Sequence, residues 1–421
     1  MKFAPLSASP ITLTGTIKTP LGTPLNNVLL KATSGTSTLT ATTPETGAFS
    51  FKATENSTLT FAPTKRGETD VTNGISTLDI VQIQRHILGT QPLASPYKII
   101  AADVNNSGSV TTLDMALIRS LILHNTTSFP GNRNWAFVKS DFSFADPANP
   151  FPFDSTRTYT KVTELTGQDF IGIKLGDVND SWDASTARLQ TAGNVAFGMQ
   201  SQQVSKGAEV VVPVTVSDFT DVSGYQFTLT WDPKVLEYVG VENTGVKEAH
   251  YGTYSTSQGK LTTAWTEPTG QSLSLPDGTS VFNLRIKAVG NSGSESKVEI
   301  NSSLTKSLAY NRELAQLNVK SQQAVVRVRE LAYALHQNSP NPFSQQGTRI
   351  RFSVPQQEEV SIRIYNSLGQ LVRTYKATYA AGEHELLWDG KNQQGHRLKS
   401  GAYLYRMQAG KYTEVKSAII L

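Results

Sequence analysis

The chain of 421 residues contains no cysteine, which excludes disulfide staples, thiolate zinc sites and a thiol nucleophile. In an oxidising space it would have to be stabilised by packing or by metal. Charged residues make up only 17% of the sequence, and no segment reaches the roughly 20 consecutive apolar residues of a membrane span. The opening, Met1-Lys-Phe-Ala-Pro-Leu-Ser-Ala-Ser-Pro10, lacks the apolar centre of a signal peptide, so a fragment or a mature form is expected. His86, His124, His250, His336, His384 and His396 are scattered, with no His-Glu-x-x-His pair and no Gly-x-Ser-x-Gly elbow. Glu237 and Glu267 come nearest to an acid/base pair, but carboxylates at the edges of a sandwich are ordinarily solvated. No enzyme is expected.

The net charge of +4 raises the question of nucleic acid. From Tyr333 onward there are 11 Lys and Arg against 6 Asp and Glu, which accounts for the whole excess. These charges are scattered along strands rather than clustered, so nucleic-acid binding is not expected. At roughly 100–200 residues per domain the chain should hold about three or four. Apolar residues alternate with polar ones at Ile11, Leu13 and Ile17, at Val210, Val212, Val214 and Val216, and through Tyr225-Gln-Phe-Thr-Leu-Thr-Trp231. Period-2 patterning of this kind with abundant turn residues predicts a mainly β, multi-domain chain of several sandwiches. One small helical module interrupts it.

That module is a repeat. Gly74-Ile-Ser-Thr-Leu-Asp79 and Ser109-Val-Thr-Thr-Leu-Asp114 each lead into an amphipathic run, and their aspartates stand 35 residues apart. With Asp103 at position 1 of a twelve-residue frame, Asn105, Ser107, Ser109, Thr111 and Asp114 fall at 3, 5, 7, 9 and 12, and Gly108 at the sharp turn. Hard oxygens at that spacing suit Ca²⁺, which takes six to eight of them. In the first copy Glu68, Asp70, Thr72, Gly74, Ser76 and Asp79 fall in the same places, with Asn73 where glycine is expected. Asp79 and Asp114 are either calcium ligands or carboxylates that cap a helix N-terminus. β-Branched Ile75 and Val110 at position 8 predict that the two loops pair. The helix faces expected to pack are Ile80, Ile83 and Ile87 with Leu88, and Leu113, Leu117 and Leu121 with Ile118 and Ile122. Asp177, Asn179 and Asp180 form either a further oxygen cluster or a plain polar turn.

The loop–helix pair resembles the dockerin family, which implies calcium and a protein partner. Gly15-Thr-Ile, Pro24-Leu-Asn-Asn-Val28 and Thr46-Gly-Ala-Phe-Ser-Phe51 resemble Ig-like prealbumin domains of carboxypeptidase regulatory regions. Gly224-Tyr-Gln-Phe-Thr-Leu-Thr-Trp-Asp-Pro-Lys-Val-Leu-Glu237 is similar to the cohesin family, whose members bind dockerins. Gln337-Asn338-Ser-Pro340-Asn341-Pro342-Phe343, Trp388-Asp-Gly-Lys391 and Ser400-Gly-Ala-Tyr403 closely resemble the type A C-terminal sorting domain of type IX secretion, with Ser339 where an aromatic residue is usual. The expected boundaries are 1–64 for the Ig-like sandwich, 65–182 for the dockerin-like module with an aromatic wrapping segment, 183–192 for a linker, 193–330 for the cohesin-like sandwich and 331–421 for the sorting domain. The resemblances imply a secreted or cell-surface assembly protein. It would meet a partner, or another copy of itself head to tail as a filament, through its dockerin-like and cohesin-like surfaces, and would be exported by the secretion machinery. The alternatives are a carbohydrate-binding adhesin using Tyr251, Tyr254 and Trp265, or the non-catalytic tail of a larger hydrolase. For those aromatics, packing in the core is the competing role.

Overall fold

The computed structural model describes residues 10–34, 37–182, 191–344 and 346–421. Most of the expected linker, and the chain before Pro10, lie outside the described residues. Strand makes up 46% and helix 8%, so the chain is mainly β with a small helical module.

The first sandwich does not stop at residue 64. Its strands β1 (Pro10–Lys18), β2 (Leu29–Ser34), β3 (Ser37–Thr42), β4 (Ala48–Thr54) and β5 (Leu59–Thr64) leave one open edge on each of two sheets. The chain departs into α1 (Thr77–Ile87), α2 (Pro96–Ala102) and α3 (Thr112–Ile122). It returns as β6 (Trp135–Lys139), β7 (Arg157–Tyr159) and β8 (Phe170–Lys174). These late strands cover the open edges, giving the orders β4-β1-β8-β6 and β3-β2-β5-β7. Unpaired edge groups are a liability, and pairing them explains why the aromatic segment cannot be a mere wrapping. Trp135, Phe137 and Phe170 belong to the sandwich core, whereas Phe142, Phe144, Phe151 and Phe153 pack against the helix core. The helical module is thus an insertion within the sandwich.

Each repeated helix starts with a capping box: Ser76 with Asp79 for α1, Thr111 with Asp114 for α3. Ile80, Ile83, Ile118, Leu121 and Ile122 form the shared core. Leu88 and Leu113, expected to pack, are 52% and 57% exposed instead.

Residues 194–329 form twelve strands around one apolar core. In the strand Val222–Thr230, Tyr225, Phe227 and Leu229 point into that core, as the alternation predicts. The alternate residues Gln226 and Thr228 are 2% and 0% exposed, so this strand is covered on both faces. The covering layer is the pair of helices. The last domain is a sandwich of three and four strands ending with Tyr412–Ile420.

Candidate calcium loops and docking face

The contiguous loop is built on one chain reversal. Asp103, at the end of α2, accepts Ser107 N at 2.9 Å on Oδ1 and Gly108 N at 2.8 Å on Oδ2. Asn105 Oδ1 also accepts from Ser107 N, at 2.9 Å. Positive φ at Asn106 and Gly108, 61° and 79°, makes the turn, and asparagine and glycine are the residues that tolerate it. Asp114, fully buried, accepts Asn105 N on Oδ1 and the Thr111 amide and hydroxyl on Oδ2. Burial raises its carboxyl above the usual range, opposed by the hydrogen bonds from Thr111 and Asn105. Ser107 Oγ donates to the Ser109 carbonyl at 3.1 Å. Asp103, Asn105, Ser107, Ser109, Thr111 and Asp114 therefore lie in one hydrogen-bonded loop.

The first copy is arranged differently. Asp79 is fully buried and keeps its bonds to Ser76, but Glu68 is paired with Lys174 in a nearly buried ion pair. Asp70 accepts from the amide and hydroxyl of Thr72 on one oxygen and pairs with Lys306 at 3.2 Å through the other. The oxygens expected at positions 1, 3 and 5 are thus engaged with lysines or with one another. The segment that does reach Asp79 comes from beyond β8: Val178 N donates to Asp79 Oδ1 at 2.9 Å. Asp177 is 4% exposed, and burial pushes its carboxyl up to about 6, with Asp180 adding to the shift. Burial and the neighbouring Asp177 push Asp79 well above the carboxylate range. Asp180 turns away to pair with Lys98 at 3.3 Å.

Among the described residues no three acidic or histidine side chains gather to hold a metal. A cation here would be held by paired carboxylates, Asp103 with Asp114 and Asp79 with Asp177, completed by amide, hydroxyl and carbonyl oxygens. That is a hard-oxygen set of the kind Ca²⁺ takes. Two further observations fit an ion. Asn179 Oδ1 is sealed from solvent without a hydrogen-bond partner. Gly74 has no room for a Cβ, which would lie 2.8 Å from Asp177 Oδ2.

The helices meet the second sandwich through their unsatisfied ends. The first amides and last carbonyls of a helix have no partner within it. Thr77 N of α1 donates to Gln226 Oε1 at 2.7 Å. At the far end of α3 the Ile122 and Leu123 carbonyls accept from the hydroxyls of Thr305 and Thr262 at 2.5 and 2.7 Å. Gln84 and Arg85 of α1 donate to the Pro268 and Gly270 carbonyls, and Arg85 also to that of Arg312. Tyr310 donates to Ser76 Oγ, and Ala264, on the strand Lys260–Thr266, is packed into the helix core. Sequence periodicity missed this face because Gln226, Thr228, Thr262 and Ala264 resemble ordinary solvent-side residues of a half-buried strand.

The remaining candidates are structural. Trp265 is 1% exposed and stacks on Tyr225 inside the sandwich, in the core rather than on the glycan surface of the alternative reading. Glu267 caps its own turn through Thr269 and Gln271. Asn338 is buried, donating to the Pro340 carbonyl and Thr348, and Asn341 Oδ1 accepts from Ile419 N. Phe343 is buried and bonds the Ile419 and Leu421 backbones. The 338–343 motif, with Pro340 and Pro342, thus ties down the last strand.

Family models match three parts of the chain: the dockerin type I domain over residues 70–123, the cohesin domain over 194–324 and the FlgD Ig-like domain over 338–412. Cohesin and dockerin domains are non-catalytic modules that bind protein partners. No curated protein matches the chain. Solved structures similar to it include a Coh-OlpA–Doc918 complex of Clostridium thermocellum, at 13% identity, 32% of this chain, 99% of that chain and TM-score 0.29. The sixth cohesin of scaffoldin B from Acetivibrio cellulolyticus, in complex with a Cel5 dockerin, is 21% identical over 32% of this chain and 99% of that chain, with TM-score 0.29. A non-cellulosomal cohesin of Archaeoglobus fulgidus is 16% identical over 32% of this chain and 91% of that chain, with TM-score 0.27.

Proposed function

We propose that the chain is a calcium-stabilised structural protein of the cell exterior whose dockerin and cohesin domains hold each other within a single molecule. The observation that carries this is the strand Val222–Thr230, buried on both faces, with Gln226 bonded to the start of α1. A cohesin sheet already covered by its own chain's helices is not free for a second partner. The contact is also imperfect: Thr77 Oγ1, Gln84 Oε1 and Arg119 Nε are buried without partners. Each such group costs about 1–3 kcal/mol, which favours opening of the pair. An opened pair would expose both docking faces, and head-to-tail assembly is what they could then do. Export rests on the C-terminal motif and its resemblance to type IX sorting domains. In that reading, the burial of Asn338 and Phe343 favours recognition of the folded domain's surface over recognition of these side chains.

The absence of cysteine makes the test direct. A Cβ built on Gly224 would lie 3.5 Å from Thr77 Cβ, within the range of a disulfide. Thr77→Cys with Gly224→Cys, oxidised in calcium, should give a cross-linked monomer. Covalent dimers and longer chains would instead mean that the two faces meet between molecules, and failure to cross-link at all would remove the contact.

A further inference from the structure

We infer that the first calcium site is split, with its first half supplied by Asp177, Asn179 and Ser181, about a hundred residues after the Gly74–Asp79 half. This rests on the calcium reading above and replaces Glu68, Asp70 and Thr72 as the ligands of that site.

The two half-loops, Asp103-Val-Asn-Asn-Ser107 and Asp177-Val-Asn-Asp-Ser181, differ only at position 4, and Val104 and Val178 are both fully buried in the helix core. The bonds to their position-1 carboxylates match, whereas Asn105 Oδ1 accepts from Ser107 N and Asn179 Oδ1 has no such bond. Ser107 N bonds Asp103 Oδ1 at 2.9 Å, and Ser181 N bonds Asp177 Oδ1 at 3.0 Å. The next amide, Gly108 or Trp182, bonds the other carboxylate oxygen at 2.8 or 2.7 Å. The residue at position 4 has positive φ in both, 61° at Asn106 and 58° at Asp180. The decisive pair crosses the break in the chain. Ser107 Oγ donates to the carbonyl at position 7 of its own loop, Ser109, at 3.1 Å, and Ser181 Oγ donates to the Gly74 carbonyl at 3.0 Å. From there Ser76 and Asp79 repeat the bonds of Thr111 and Asp114. Gly176 N also bonds the Ala101 carbonyl at 2.8 Å, so the residues leading into the two half-loops lie side by side.

One observation outside this hydrogen-bond pattern points to a ligand, and a second to the closure of the loop. Asn179, the counterpart of Asn105, holds a buried Oδ1 with no partner in the protein, and an amide oxygen is a hard donor suited to calcium. Gly74 is the residue over which the second segment closes: any side chain there would strike Asp177 Oδ2 and the Trp182 backbone at 2.8 Å. Glu68 and Asp70, by contrast, are spent on Lys174 and Lys306. The dockerin match ends at residue 123, before the segment that completes the loop.

Calcium titration of the metal-free full chain, read as ions bound per molecule, tests the assignment. The parent should bind two, Asp103→Asn one and Asn179→Ala one, while Glu68→Gln should still bind two. Asn179→Ala removes an oxygen that bonds nothing in the protein, so loss of an ion there is not loss of the fold. Asp177→Asn, which keeps the side chain's shape, should match it. One ion in the parent, lost in Asp103→Asn and kept in Asn179→Ala, would overturn the split site and leave calcium binding in place. An ion lost in Glu68→Gln but kept in Asn179→Ala would restore the contiguous loop. No ion in the parent would overturn both.

Discussion

The two copies of the loop–helix repeat share a Thr-Leu-Asp start and the spacing of their apolar residues and are put to different uses. The copy leading to α3 closes its loop locally and reaches the cohesin sheet through its last carbonyls and Arg119. The copy leading to α1 borrows half its loop from beyond β8 and lies against the sheet from Ser76 to Arg85. Thr77 is fully buried while its counterpart Thr112 is exposed. A sequence repeat therefore fixes the unit and not its role, because burial is decided by what the surrounding chain brings to each copy. Breaking one copy should not have the same effect as breaking the other.

The largest difference is expected at position 1 of the two frames. Glu68 and Lys174 form a pair with side chains 12% and 2% exposed, and Lys174 also lies 5.5 Å over the Trp135 ring. Removing one partner of a buried pair costs about 3–5 kcal/mol, because the other charge stays buried. Glu68→Gln should lower stability to denaturant by that order equally in calcium and in chelator. Asp103→Asn should destabilise chiefly in calcium. Equal calcium dependence of the two losses would mean that Glu68 is a ligand after all.

A smaller difference separates the helices. Gln84→Ala leaves the Pro268 carbonyl without its donor, a cost of about 1–3 kcal/mol. Leu113→Ala on α3 touches an exposed side chain and should stay within about 0.5 kcal/mol. Hydrogen exchange in the strand Val222–Thr230 reads the docked state directly: it should quicken in the first variant and not in the second. Quickening in both would mean that α3 shares the face along its length.

The sandwich cores were legible because alternation is a local signal: Tyr225, Phe227 and Leu229, or Val212, Val214 and Val216, announce their inward face whatever lies elsewhere. The contiguous loop was legible for the same reason, since its six oxygens fall within twelve residues. What escaped was every feature assembled from distant pieces. Strands β6–β8 read as an aromatic covering because nothing in Trp135 or Phe170 says that β1 and β5 lack neighbours. Glu68 and Asp70 fitted the calcium frame by spacing, and their lysine partners at 174 and 306 lie far along the chain. Asp177-Val-Asn-Asp-Ser181 did repeat the Asp103-Val-Asn-Asn-Ser107 pattern. Only the fold brings it against Gly74.

The smallest effect should come from the titratable contact of α3. Arg119 stands where α1 has Gln84, and its guanidinium approaches His250 Nε2 at 3.5 Å, with Glu248 also nearby. Burial lowers the His250 pKa, and Arg119 lowers it further against the opposing pull of Glu248. A histidine with a depressed folded-state pKa stabilises the docked form above its unfolded value of about 6.5. That contribution is lost as pH falls through the docked-state pKa, since the open form then binds the proton more readily. In saturating calcium, strand Val222–Thr230 should therefore exchange faster as pH falls below about 6.5, after correction for the intrinsic rate. His250→Gln should remove that part of the pH dependence, whereas Gln84→Ala should shift the whole curve without changing its slope. An unchanged slope in His250→Gln would assign the acid sensitivity to another group.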